Sequence, residues 1–330
     1  MALTAGRVPR RPFGRTDLEV SCIGFGCGPT AGLMVRGSAT ERAAAVERAL
    51  DLGIDYFDTA PIYGDTVSEQ HLGETLHELR ASVTLASKVA LELPDLDDIR
   101  AAALGSVDAT LRRLGAERLD VIQLHNRIGF QRAARSNTGV GALITPDDAM
   151  RVADAFDELR QQGKVRATGC CAYGGEPEAV AQVLDSGRFD AVLVQFSLAN
   201  QSAFDRPSPP AGLNAAPVHN RLPSQSSFAI PGPPASLGAV PVRSSLGSES
   251  TFGGSDREGG LDYAGAGTRA ARNGMAVVAI RTLEAGKLAT KPNEAIRFVL
   301  RRLEIAAAVI GFSRIIHIEE AARAATMGAC

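Results

Sequence analysis

Apolar residues fall along this chain in two alternating rhythms: short continuous runs, and longer stretches in which they recur every three or four positions. The runs are "CIGFG" at 22–26, "IDYFDTA" at 54–60, "VTLASKVA" at 83–90, "DVIQLHN" at 120–126, "VRATGCCA" at 165–172, "FDAVLVQFS" at 189–197, "MAVVAIRT" at 275–282 and "AAAVIGF" at 306–312. Helical spacing covers 40–52, 68–80, 97–115, 146–162, 176–186, 262–273, 292–303 and 317–327. In the first helix Thr40 is the expected N-cap and Gly53 the stop. Strict alternation of this kind predicts parallel strands joined by helical crossovers, with helices covering the sheet. Eight strand and helix pairs predict closure, an α/β protein of the (β/α)8 TIM-barrel class. A doubly wound sheet would want a G-x-G-x-x-G turn opening a helix after the first strand; "GFGCGPTAG" has glycines at 24, 26, 28 and 32 and no predicted helix start.

One segment breaks the rhythm. Residues 201–260 hold nine of the 17 prolines together with many serines and glycines. Such a stretch cannot bury enough apolar surface to offset a backbone entropy loss of ~1–2 kcal/mol per residue, so it is expected to be a disordered insertion between strand six and helix six of one barrel domain spanning 1–330. It is either a tolerated insertion or a lid over the barrel mouth.

Composition narrows the partner. The 330 residues carry 35 basic and 37 acidic side chains, a formal net charge of −2, so no electrostatic footprint for nucleic acid or an anionic membrane is present and a small molecule is expected. The N-terminus has basic residues but no apolar core behind them, unlike a secretory signal, and the longest strongly apolar run, 305–312, is far short of the ~18 residues of a membrane span. Five cysteines without C-x-x-C spacing suit reduced thiols and a cytoplasmic location. The adjacent Cys170 and Cys171 point to opposite sides of a strand and cannot share one ion, so no metal is expected. Oligomeric state is left open.

Four polar residues lie at or just beyond the ends of three predicted strands: Asp58, Tyr63, Lys88 and His125. Singly, each has an ordinary reading, as a turn cap, a loop aromatic, a solvated strand-end charge or a structural imidazole. Jointly, on consecutive strands, they converge on the C-terminal rim of a barrel, where such folds place their sites. A phenol titrates near ~10, too weakly acidic to protonate a forming alkoxide well. A lysine held by an aspartate favours the phenolate and lowers that pKa, and a histidine can orient a carbonyl oxygen.

With these residues in view, the chain resembles the aldo-keto reductase family. "RPFGRTDLEVSCIGFG" is similar to the family's opening segment, "DLGIDYFDTAPIYGDTVSEQHLGETL" to its aspartate and tyrosine signature, "ASKV" to its lysine strand, and "RLGAERLDVIQLHN" and "DAFDELRQQGKVRATG" to the elements that follow. The likeness covers roughly 11–200 and 261–325. It implies an NAD(P)-dependent oxidoreductase that moves hydride between a nicotinamide and an aldehyde, ketone or alcohol, with Tyr63 as general acid or base, Lys88 and Asp58 tuning it and His125 positioning the carbonyl. An NAD-dependent sugar dehydrogenase and a non-catalytic NADP-binding regulatory subunit are the other uses of such a chain.

The resemblance also implies cofactor contacts. Cys171 and Ala172 stand where a carboxamide-holding serine and asparagine are usual, whereas Gln195 keeps the glutamine. Arg281 replaces an aromatic that stacks on nicotinamide. Gly26 ends the first strand; Gly311, Ser313 and Arg314 suit a phosphate beside a helix N-terminus, and Glu320 an adenine. Arg314 favours NADP over NAD through bidentate phosphate contact. The loop after His125 carries Arg127, Phe130 and Arg132, which fit a polar or anionic substrate or simply a surface loop. Because the sequence stops at Cys330, close behind the last helix, an open pocket is expected.

Overall fold

A computed structural model of the chain describes residues 6–136, 139–204 and 265–327. Eight parallel strands close into a barrel: β1 (Ile23–Gly26), β2 (Tyr56–Asp58), β3 (Thr84–Val89), β4 (Leu119–Leu124), β5 (Val165–Cys171), β6 (Ala191–Gln195), β7 (Ala276–Ile280) and β8 (Ile305–Gly311). Spatial order follows chain order, and β8 closes onto β1 through Gly311↔Gly26. Helices α1 (Ala39–Asp51), α2 (Val67–Glu78), α3 (Ile99–Leu114), α4 (Pro146–Gln161), α5 (Pro177–Asp185), α6 (Ala266–Arg272), α7 (Pro292–Leu300) and α8 (Ile315–Met327) form the crossovers. The barrel and the order of its elements match the sequence expectation.

Two cores follow from the two faces of each strand. Outward residues such as Phe57, Ile122, Cys170 and Val192 pack beneath the helices. Inward residues, among them Tyr56, Ala86, Val121, Ala167, Cys171, Leu193 and Val278, fill the barrel interior. The interior is mostly small because eight strands leave room for few large side chains. Tyr56 takes much of that room: a Cβ on Gly24, its register partner on β1, would lie 2.7 Å from the ring. An antiparallel ribbon, Arg10–Pro12 with Glu19–Ser21, brings Phe13, Leu18 and Val20 into the same interior cluster.

Three details differ from expectation. Helix α1 is capped by Ser38 rather than Thr40: the Ser38 hydroxyl accepts from Glu41 N while Glu41 accepts from Ser38 N, so the capping box starts two residues earlier. One helical turn, Leu33–Arg36, follows Gly32 in the loop after β1, where no helix was expected; four residues are too few for a crossover. Residues 201–204 are folded: Ala203 and Phe204 are buried, Phe204 meets Phe196 edge-on at 4.8 Å, and Gly265 N donates to Ser202 O. The expected disordered insertion, and any lid within it, otherwise lies outside the described residues. Among the described residues, no helix is long and apolar enough to cross a membrane.

The helical layer behind the site is tied by one carboxylate. Glu69 on α2 is fully buried and accepts from Ser87 Oγ (2.6 Å), Thr110 Oγ1 (3.1 Å) and Arg113 Nε (2.6 Å), joining α2, β3 and α3. Gly73, one helical turn on, lets α2 approach the end of α3, since a Cβ there would lie 2.7 Å from the Leu114 carbonyl. Removing the carboxylate would strand three donors, one cationic. Glu69→Ala is therefore expected to lower unfolding free energy by about 3 kcal/mol, read as a shifted midpoint in denaturant unfolding; a shift below about 1 kcal/mol would show that the tie is not structural.

Candidate active site

Strand parity brings the polar residues together. Asp58 ends β2 with its side chain inward, two positions after Tyr56. Lys88 lies two after the inward Ala86 on β3, and Gln123 two after the inward Val121 on β4. The lateral register aligns Lys88 with Gln123 and Gln123 with Gly169, which places the set at one level near the C-terminal rim. His125 continues the β4 parity one step past the strand and is anchored by His125 N donating to Val89 O at 2.8 Å. Tyr63 enters from the turn after β2, whose Gly64, Asp65 and Thr66 all adopt positive φ.

The geometry is that of a buried cation under a phenol. Lys88, 1% exposed, donates from Nζ to Asp58 Oδ1 (2.5 Å) and to Thr59 O (2.8 Å). The second Asp58 oxygen accepts from Gln123 Nε2 at 3.1 Å. Lys88 Nζ stands 5.0 Å from the centre of the Tyr63 ring. Burial opposes the charge on Lys88, but the Asp58 carboxylate and then Tyr63 more than offset it and hold the ammonium above its ordinary pKa. Burial likewise pushes the Tyr63 phenol up to about 12, with Lys88 pulling the other way. The lysine acts in the expected direction; the phenol nonetheless stays protonated at neutral pH.

His125 is held by aromatic rings. Tyr63 meets it edge-on at 6.2 Å between centres (86°), and Tyr173 does so at 6.3 Å (84°). Its Nδ1 is buried with no hydrogen-bond partner. Burial, reinforced by Lys88, lowers its pKa well below the ordinary value, so the ring is neutral. The Cys171 thiol, two residues before Tyr173, is pushed up to about 12 by burial. Gln123 and Tyr173 were not singled out in the sequence. Parity with Val121 on β4 would have found Gln123; nothing local marks Tyr173, which reaches His125 only across the β4–β5 rim.

The remaining candidates lie at the ends of β5 to β8 and of β1. Cys171 and Ala172 are buried. Gln195 ends β6, partly buried. Arg281 is exposed and has φ +57°, as do Glu284 (+48°) and Ala285 (+52°) nearby, three left-handed non-glycine residues within five. Thr282 Oγ1, overlooked in the sequence, is buried without a partner. Gly311, Ser313 and Arg314 are exposed ahead of α8, and Gly26 pairs with Gly311. His317, given no role by the sequence, contacts Ser313 Oγ through Nδ1 (3.2 Å) and Arg314 Nη2 through Nε2 (3.1 Å). Glu320 is partly buried on α8, away from the tetrad in sequence and strand position. A cavity of ≈ 1120 Å³ opens at the other end of the barrel, lined by Asp55, Thr84, Asp120 and Arg166 at or just before strand starts, and shares no residue with the tetrad. Among the described residues, no group of three or more His, Cys, Asp or Glu side chains could hold a metal.

Comparison with known proteins gives a concordant picture. The model of the Aldo/keto reductase family matches residues 22–213. A Bacillus subtilis protein named as an uncharacterized oxidoreductase, YqkF, is 28% identical over 204 residues, 60% of this chain and 57% of that protein. L-galactose dehydrogenase of Arabidopsis thaliana is 31% identical over 166 residues, 49% of this chain and 48% of its own length. The chain thus aligns with about half the length of these curated relatives. The holo form of the Bacillus halodurans aldo-keto reductase AKR11C1 superposes with a TM-score of 0.60 at 20% identity, covering 96% of this chain and 91% of that one, a likeness of fold.

The aromatic clamp on His125 is testable by NMR. Because packing disfavours the imidazolium, the His125 ring resonances are expected to stay flat as pH falls from 8 through 6.5. Tyr173→Ala admits water and should bring the titration up towards the ordinary histidine range, whereas Tyr173→Phe, which keeps the ring, should leave it flat. Identical titrations in all three proteins would show that Tyr173 does not shield the imidazole.

Proposed function

Because the chain belongs to the aldo/keto reductase family, we propose that it is an oxidoreductase that uses NADP, with NAD as the weaker alternative, to interconvert an aldehyde or ketone and its alcohol. The observation that carries this reading is the buried Lys88–Asp58 pair set beneath Tyr63, with His125 beside it.

The roles follow from the electrostatics. With its pKa at about 12, Tyr63 carries its proton at neutral pH and donates it to the oxygen of the carbonyl. The phenolate left behind is stabilised by the Lys88 ammonium, which Asp58 and the Thr59 carbonyl hold in place. Gln123 keeps the second Asp58 oxygen occupied, so the carboxylate does not turn away from Lys88. His125 is neutral, and with Nδ1 buried and unpartnered its proton belongs on Nε2, the nitrogen left to donate to the carbonyl oxygen. The same groups run backwards for alcohol oxidation.

The ends of β6 to β8 fit a nicotinamide dinucleotide. Gln195 presents an amide towards the barrel interior, the orphaned Thr282 hydroxyl is a polar atom awaiting a partner, and Arg281, Ser313 and Arg314 supply anion contacts near the start of α8. Cys171 and Ala172 leave the carboxamide with fewer polar contacts than the family's usual serine and asparagine. When bound, the nicotinamide supplies or accepts the hydride. Arg314, already steered by His317, favours NADP.

Titration with NADPH and NADH is expected to show tighter binding of NADPH, and Arg314→Ala should narrow the difference. Tyr63→Phe should bind cofactor as the wild type does while losing about 10²–10⁴-fold in carbonyl reduction, followed by nicotinamide absorbance. Undiminished turnover in that variant, or no binding of either cofactor, would sink the reading.

A further inference from the structure

The loop after β4 presents three side chains that suit a polar substrate, and the structure separates them. Arg132 is committed to Asp148, donating from Nε to Oδ2 (2.9 Å) and from Nη2 to Oδ1 (2.5 Å). Phe130 is 47% exposed, and its backbone N–H donates to Glu176 Oε1. A further arginine of the same loop, Arg135, stands 3.5 Å from Glu92. Arg127 differs from both arginines. Its guanidinium has no carboxylate within ion-pair distance among the described residues, and its Nε is buried with no hydrogen-bond partner.

The position of Arg127 is set by the fold. It follows His125 by two residues, so the two Cα atoms lie within about 7 Å. The side chain runs between two loops of the rim: a Cβ on Gly139 would stand 2.6–2.8 Å from the guanidinium, and one on Gly174 would stand 2.8 Å from Cδ. Gly174 follows Tyr173, whose ring meets His125 edge-on. The backbone on either side is pinned, with Arg127–Ile128 pairing with Leu143–Ile144 and Ile128 bridging to Gly175. Two glycines, one of them directly after Tyr173, therefore make room for one cation on the rim without supplying its counter-charge. A partly buried and unpaired guanidinium is unfavourable in isolation and becomes favourable when a planar oxyanion meets it.

We infer that Arg127 forms a subsite for an oxyanion on the substrate, a carboxylate or a phosphate ester, so that the carbonyl compound turned over at Tyr63 is an acidic one. This rests on the reductase reading above, and the oxyanion subsite deepens it by naming the substrate class. Glu176 of the neighbouring loop accepts from the Phe130 N–H and is not within ion-pair distance of the guanidinium.

The test separates binding from turnover. Calorimetric titration of the NADPH-loaded protein with benzoate, glycerol 3-phosphate and neutral benzyl alcohol reads the subsite without any reaction. At least one of the two anions is expected to bind more tightly than the alcohol, and the better one identifies carboxylate or phosphate. Arg127→Gln should weaken that anion roughly 10- to 100-fold while leaving benzyl alcohol unchanged, and Arg127→Lys should recover part of the loss. Tyr63→Phe should retain the anion preference although it does not turn over. With 4-carboxybenzaldehyde and its methyl ester as substrates, Arg127→Gln should raise KM for the acid alone. Equal weakening of charged and neutral ligands in Arg127→Gln, or no anion preference in the wild type, overturns the subsite. A preference that persists in a protein reducing no aldehyde would instead overturn the reductase reading.

Discussion

An ammonium group taken out of water inside a barrel persists only if an anion is waiting for it, and Lys88 meets that condition through Asp58 on the neighbouring strand. Much of the site is arranged around this pair. Gln123 occupies the carboxylate oxygen that Lys88 leaves free, and the Thr59 carbonyl takes a second lysine proton. The cation bears on Tyr63 and on His125 with opposite consequences: it pulls the phenol towards ionisation and helps keep the imidazole neutral. Burial is the larger influence on both, and it leaves the phenol protonated and the imidazole neutral.

The scaffold keeps that charge where it is. Small inward residues on most strands leave the interior to Tyr56 and Phe13, whose rings lie 5.9 Å apart, so the polar layer sits on a packed floor. Behind β3, the Glu69 network fixes α2 and α3 against the strand that carries Lys88. The rim is less uniform. The β2 to β4 side carries the linked hydrogen bonds of Lys88, Asp58 and Gln123, with Gln123 Oε1 and His125 Nδ1 left without partners among the described residues. The β6 to β8 side carries exposed arginines, a left-handed loop and an orphaned hydroxyl.

Cys171 and Ala172 are both buried at the β5 edge. Tyr173, two residues on from Cys171, closes against His125, so the segment after β5 shapes the imidazole's surroundings. Arg127, on the loop that packs against the same segment, runs along this edge between Gly139 and Gly174.

Sequence alone determined the barrel, because eight alternations of apolar run and helical spacing admit few other closed solutions, and it singled out Asp58, Tyr63, Lys88 and His125, because they fall at or just beyond strand ends whose direction the fold dictates. Local signals were less secure where two nearby residues compete for one role: Ser38 caps α1 instead of Thr40 because its partner Glu41 stands three residues on. Only the tertiary structure decided what depends on distance between separate strands and loops. The pairing of Gln123 with Asp58, the clamp of Tyr63 and Tyr173 on His125, and the unpaired state of Arg127 beside the committed Arg132 are of this kind. The Tyr63 pKa is as well, since burial and a nearby cation oppose each other and their balance is set by three-dimensional packing that no spacing along the chain records.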